Sequence, residues 1–182
     1  MTIGPEHRRV VNHFLNRGYQ DKHFNLFLRL CLAPLFMDGL TGSDVIDRLN
    51  ARDRTETSPL KSLDRRVRKY FAKHPDDKDD WETEILEQMI PRVVPDLWRL
   101  HLADDPKKYN VIEIIEVVDT HPPSQEKLEA YFWWEDANEQ WSVSLKQALV
   151  GPPTTLIDIN AQAHHAAFKK MFENTRSKEL KI

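Results

Sequence analysis

The chain is 182 residues long, 40% hydrophobic and 30% charged, with a formal net charge of −3. That composition belongs to a folded globular protein with room for one ordinary domain and a small appended one, and it excludes a disordered chain. The slight acidity argues against indiscriminate nucleic-acid binding. A single cysteine, Cys31, excludes intramolecular disulfides. With no signal-peptide-like apolar stretch in MTIGPEHRR, a cytoplasmic protein is expected. The most apolar run, 26–37, is interrupted by Arg29 and Pro34, so no membrane span is expected.

From the N-terminus, HRRVVNHFLNRG reads as a helix ended by Gly18. HFNLFLRLCLAPLF reads as a second, dense enough in apolar residues to make Cys31 a core residue. In GLTGSDVIDRL, Ser43 is the expected N-cap and Val45, Ile46 and Leu49 the buried stripe. After the polar NARDRTETS, another helix begins near Pro59, with Leu60, Leu63, Val67, Tyr70 and Phe71 facing inward. Residues 59–73 hold six basic residues against Asp64 alone, and residues 76–87 hold seven acidic residues against Lys78 alone. This sign change beside His74-Pro75 is the expected domain boundary, giving a helical region 1–75 and a second domain 76–182. Helix, connection and basic helix follow the order of a helix-turn-helix, and Lys61, Arg65, Arg66, Arg68 and Lys69 are then candidate DNA contacts. The connection exceeds the roughly 3–4 residues usual for that motif. A solvated helix face is the alternative reading.

The segment 81–90 has helical spacing in which Glu82 falls among Trp81, Ile85, Leu86 and Met89, while Glu84 and Glu87 lie outside that arc. Two strand-like runs follow. If 93–102 is a strand, Asp96 shares a face with Val94, Trp98, Leu100 and Leu102. If 111–118 is a strand, Glu116 lines up with Ile112, Ile114 and Val118, and Glu113 with Ile115 and Val117. Both faces of this second run are mostly apolar, as in a central strand covered on each side. A carboxylate buried there needs a cation, a donor or a protonated state. Two acids on neighbouring strands suit a divalent cation with oxygen ligands, magnesium or manganese. The choice between Glu113 and Glu116 turns on register, since a slip of one residue exchanges their faces.

Next, SQEKLEAYF reads as a helix capped by Ser124, with Lys127 in its first turn and Leu128, Tyr131 and Phe132 as its docking stripe. Trp133 and Trp134 follow and are read as packing residues, with base stacking the alternative. QWSVSL alternates as another strand, Gly151-Pro152-Pro153 breaks the chain, TTLIDIN gives a final short strand, and AHHAAFKKMFENTRSKEL reads as a terminal helix. No Gly-rich phosphate loop, Cys/His zinc spacing or internal repeat is present in the sequence.

Pro95-Asp96 on one strand, Glu116 on the next and a nearby lysine resemble the PD-(D/E)XK, or restriction-endonuclease-like, superfamily. In Glu116-Val117-Val118 the family's lysine position holds Val118. EVVDTHPPSQEKLEAY is similar to the subtype that carries the lysine on the following helix, which makes Lys127 its counterpart. The resemblance spans residues 81–145. It implies a magnesium-dependent nuclease acting on DNA, with Asp96, Glu116 and a helix acid, here Glu82, on the metal. Lys127 would orient water or neutralise transition-state charge. Val118 leaves room for a fold that has lost catalysis. The alternatives are therefore a DNA-binding regulator, or a protein-interaction module on a degenerate nuclease-like fold, in which the domain dimerises or docks a partner. A structural ion pair of Glu116 with Arg92 or Arg99 is the plain reading of that acid. The expected fold is α/β, with α+β open: a helical N-terminal region followed by a small mixed-sheet domain of restriction-endonuclease type.

Overall fold

The computed structural model describes residues 3–41, 44–45, 59–86, 93–101, 103, 107, 110–137, 141–159 and 177–180. In chain order its elements are helices α1 (Pro5–Leu15) and α2 (Phe24–Leu32), a 3-10 turn (Ala33–Leu35), helices α3 (Pro59–Lys73) and α4 (Pro75–Asp80), and a π-helical turn (Trp81–Leu86). Strands β1 (Leu97–His101) and β2 (Asn110–Val118), helix α5 (Gln125–Ala137), and strands β3 (Trp141–Leu149), β4 (Thr154–Ile159) and β5 (Ser177–Leu180) follow. The fold is α/β with a mixed sheet, as expected. Among the described residues, no helix is long and apolar enough to cross a membrane.

The chain divides into two compact units, one of Met1–Lys22 with Val93–Ile182 and one of His23–Arg92. They separate elsewhere than at the expected boundary near residue 75. α1 belongs with the sheet because Val10 and Phe14 are buried against Leu97, Ile115, Val117 and Ala148. The sign change at His74-Pro75 lies inside the other unit, where Trp81 stacks on Phe71 with ring centroids 4.8 Å apart, joining the basic and acidic segments through an apolar contact. A charge reversal marks solvated surface, and burial decides where a unit ends.

In the sheet unit, the strands lie in sequence order β1-β2-β3-β4-β5. β2 and β3 run parallel, joined by the α5 crossover, and every other neighbouring pair is antiparallel. Ile112 through Val118 are all buried, as a central strand requires. β1 is shorter than expected and starts at Leu97. Asp96 therefore precedes the strand, and Val94, expected on the apolar face, is 63% exposed. Backbone bonds between Gln20 and Trp98, 2.8 and 2.9 Å, occupy the outer edge of β1 at Trp98, one position of an edge that could otherwise pair with another strand. Ser177–Leu180, read from the sequence as the end of a helix, is strand β5 paired with β4.

α1 closes on Gly18, whose φ of +87° a side chain would resist. Gly18 and Tyr19 donate their amides back to Leu15 and Phe14 at 3.3 Å each. The rings of Phe14 and Tyr19 meet edge to face at 5.2 Å, the apolar contact that accompanies this type of helix end. The closure carries the Tyr19 side chain onto the sheet.

In the other unit, α3 buries Leu60, Leu63, Val67 and Phe71 as its spacing implied, while Tyr70, expected with them, is half-buried. Asp64 ties α3 to α2 through Arg29 at 2.9 Å and also holds Arg68 at 2.8 Å. Thr41 and Asp44 cap each other, with the Thr41 amide donating to Asp44 Oδ2 at 2.7 Å and the Asp44 amide to Thr41 Oγ1 at 3.2 Å. The expected cap Ser43, with Ile46, Leu49 and the connection of the expected helix-turn-helix, lies outside the described residues.

Candidate active site

Period-2 alternation places Glu113 and Glu116 on opposite faces of β2, and each face is served by different elements. The α5 face receives Glu116. Ser124 Oγ accepts the Lys127 amide at 3.2 Å, so the helix starts where the sequence indicated. Leu128, Tyr131 and Phe132 are buried, which docks the helix. Lys127 and Tyr131, four residues apart, then share the side that meets Glu116. Lys127 Nζ lies 2.8 Å from Glu116 Oε2, and Tyr131 Oη donates to Glu116 Oε1 at 2.5 Å. Each carboxylate oxygen thus has its own donor.

The electrostatics are unusual for so well-partnered an acid. Burial pushes the Glu116 carboxyl up to about 7, with the Asp96 charge adding to it, against the opposing pull of the Lys127 charge and the Lys127 and Tyr131 hydrogen bonds. Burial also pushes the Tyr131 phenol up, reinforced by the Glu116 charge. Any further positive charge placed beside this carboxyl would favour its ionised form.

Asp96 stands beside Glu116 for a backbone reason. Its Oδ2 accepts the Val117 amide at 2.8 Å, which fixes the carboxylate against the residue that follows Glu116. Its Oδ1 lies 3.8 Å from His7 Nε2 on α1. The Asp96 side chain is 30% exposed, so the site opens on this side. Pairing of β2 with β3 sets Gln147 next to Glu116. The group lies toward the C-terminal ends of the two parallel strands, where the crossover begins and where open α/β sheets place their ligands.

Asp96, Glu116 and Lys127, expected from sequence to act together, are brought together. Glu82 is in the other unit and pairs there with Lys78 at 3.8 Å. Arg99, one expected partner of Glu116, pairs instead with Glu113, and Arg92, the other, lies outside the described residues. Tyr131 was read as packing alone, and its hydroxyl on Glu116 carries no mark in the helical pattern. Gln147 did leave a signal, an amide at a position that alternation from Trp141, Val143 and Leu145 reserves for an apolar side chain. His7 left none.

The opposite face holds a second polar cluster. Glu113 accepts from the Tyr19 hydroxyl, from Arg99 Nη2 at 2.9 Å and from Lys146 Nζ at 3.2 Å, and contacts His101 Nε2 at 2.6 Å. The Arg99 guanidinium also lies 4.1 Å from the Tyr19 ring centroid. Burial alone would push the Glu113 carboxyl up; hydrogen bonds from Tyr19, His101 and Arg99, with the Lys146 charge, outweigh it and hold the group at about 2.

On α3, Lys61, Arg65, Arg66, Arg68 and Lys69 are all exposed. Arg68 is neutralised by Asp64, whereas Arg65, Arg66 and Lys69 make no ion pair among the described residues.

No family model matches the chain. No curated protein and no solved structure matches it either.

Proposed function

We propose that this chain is a metal-dependent nuclease hydrolysing phosphodiester bonds in DNA, built on a restriction-endonuclease-like fold. The observation that carries the reading is Glu116: a buried carboxylate near neutrality in its pKa, gripped by Lys127 from the following helix and neighboured by Asp96.

The donor chemistry fits a hard divalent cation such as magnesium. Among the described residues no group of three or more His, Cys, Asp or Glu side chains is placed to hold a metal ion by itself. Two carboxylates are what magnesium commonly takes from a protein, with water and substrate completing its shell. Asp96 and Glu116 would hold the ion, which supplies Lewis-acid polarisation of a phosphoryl oxygen. Asp96 is oriented by the Val117 amide, and Glu116 by the Tyr131 hydroxyl. The Lys127 ammonium neutralises negative charge that builds on the phosphoryl group in the transition state. Arg65, Arg66 and Lys69 give α3 a basic side suited to DNA phosphates.

The test is cleavage of supercoiled plasmid and of labelled single-stranded DNA with magnesium or manganese, comparing the wild type with Glu116→Ala. Metal-dependent cutting that disappears in the variant supports the reading. Absent or equal cutting by both proteins removes it.

A second reading, a DNA-binding regulator whose sheet unit dimerises or docks a partner, is favoured by Val118 at the family's lysine position. It expects salt-sensitive DNA binding without cleavage.

A further inference from the structure

Gln147 is 1% exposed, and neither its Oε1 nor its Nε2 has a hydrogen-bond partner among the described residues. Buried amides are almost always satisfied, because each unpaired group forfeits the water it left behind. The described surroundings narrow the direction in which a partner stands. On one side Gln147 pairs with Ile157 of β4, an apolar neighbour. Along its own strand the residues sharing its face are Leu145 and Leu149. α5 presents Leu128 and Phe132 as well as Tyr131 to the sheet. The remaining direction is β2, where the register partner is Glu116. Among the described residues, the polar side chain in register with the amide is therefore Glu116.

We infer that Gln147 Oε1 is a third, neutral oxygen ligand for the divalent cation held by Asp96 and Glu116. This rests on the metal-dependent reading of the site. Hard cations accept side-chain amide oxygens alongside carboxylates. The charge balance favours a neutral donor here: Asp96 and Glu116 bring two negative charges and Lys127 one positive, so a divalent ion leaves the group at a single positive charge, ready for a phosphate. A third carboxylate would cancel that charge. Glu82, the acid expected in this role, is in the other unit. Gln147 also explains how a two-carboxylate site can grip its ion in the interior, because an amide needs no counter-charge when the ion is absent.

The experiment titrates the whole chain with Mn2+, following free Mn2+ by electron paramagnetic resonance, and measures thermal unfolding with and without the ion. It compares the wild type with Gln147→Met, which keeps length and volume, Gln147→Glu, which keeps an oxygen donor, and Glu116→Ala. The expected result is one Mn2+ bound by the wild type and lost with Glu116→Ala. Gln147→Met is expected to weaken binding at least tenfold while leaving the metal-free melting temperature unchanged or raised. Gln147→Glu is expected to bind at least as tightly as the wild type. Wild-type and Gln147→Met proteins of equal Mn2+ affinity would overturn the inference and leave the proposed function standing. A wild type that binds no Mn2+ would overturn both. Should Gln147→Met not fold, Gln147→Glu decides: weaker binding than wild type by a folded Glu variant would overturn the inference.

Discussion

Glu113 and Glu116 stand three residues apart on β2 and are held from opposite faces, Glu113 by Tyr19, Arg99, His101 and Lys146 and Glu116 by Lys127 and Tyr131. One strand therefore carries two buried carboxylates with opposite electrostatic character, one held near 2 and the other near 7. The difference is one of balance. Four donors converge on Glu113 and overcome the cost of its burial, whereas two donors on Glu116 do not. Glu113 is thus a fully charged acid tied by its own cations, whereas Glu116 is an acid short of positive charge, the character the proposed reading uses.

Lys127→Met keeps the aliphatic stem and removes the charge. Burial is the largest influence on Glu116 and Lys127 the largest opposing one, so the Glu116 carboxyl should titrate above its present value of about 7. Carboxyl-carbon NMR titration checks this directly. Cleavage should fall roughly 10²–10³-fold, the usual effect of removing one stabiliser of transition-state charge. A midpoint that stays in place would mean that Lys127 does not support the Glu116 charge.

Glu116→Gln replaces a strained carboxylate with a neutral group of the same shape. Metal-dependent cleavage should disappear, yet the metal-free protein should melt at the same temperature or higher at pH 8. A gain of about 1 kcal/mol would raise Tm by roughly 2–4 °C in a chain of this size. The comparison is differential scanning calorimetry of both proteins in chelator. Marked destabilisation would assign Glu116 a structural task.

Glu113 makes the opposite pH prediction. Its folded value of about 2 lies below the ordinary 4.5. The unfolded chain therefore takes up a proton first as pH falls, and the stabilisation, present in full above about pH 5, is lost between there and pH 2. A shift of this size corresponds to at most about 3 kcal/mol at neutral pH. Glu113→Gln should lower stability at pH 7 by up to that amount and flatten the acid limb of the stability profile, as read by urea titrations across pH 2–7. Cleavage should persist, since the cluster is on the other face.

The sequence made some of this arrangement legible because local patterns control it. The alternation in NVIEIIEVV separates the two acids, and Ser124 with the stripe Leu128, Tyr131 and Phe132 positions Lys127. What escaped depends on long-range contact. Tyr19 reaches Glu113 across 94 positions, and no periodicity announces such a partner. β1 begins at Leu97 because Asp96 gives its side chain to the Val117 amide, a competition between side chain and ladder that alternation cannot register. The compact units divide elsewhere than at the charge reversal, which is conspicuous in the sequence, whereas the Phe71–Trp81 contact that spans it is not.

The basic side of α3 yields the remaining prediction. Arg65, Arg66 and Lys69 project from the surface opposite Leu63, Val67 and Phe71, so replacing all three by alanine should leave the melting temperature within a few degrees. Each phosphate contact contributes about 0.9 to the slope of log affinity against log salt for duplex DNA. If all three touch phosphates, the triple variant should bind a 30-base-pair duplex more weakly, with a slope shallower by roughly 2–3. Arg68→Ala should change the slope less, because Asp64 already holds that guanidinium at 2.8 Å. Fluorescence anisotropy over a salt series measures both quantities. An unchanged slope in the triple variant would make this face ordinary solvated surface and leave DNA engagement to the sheet unit.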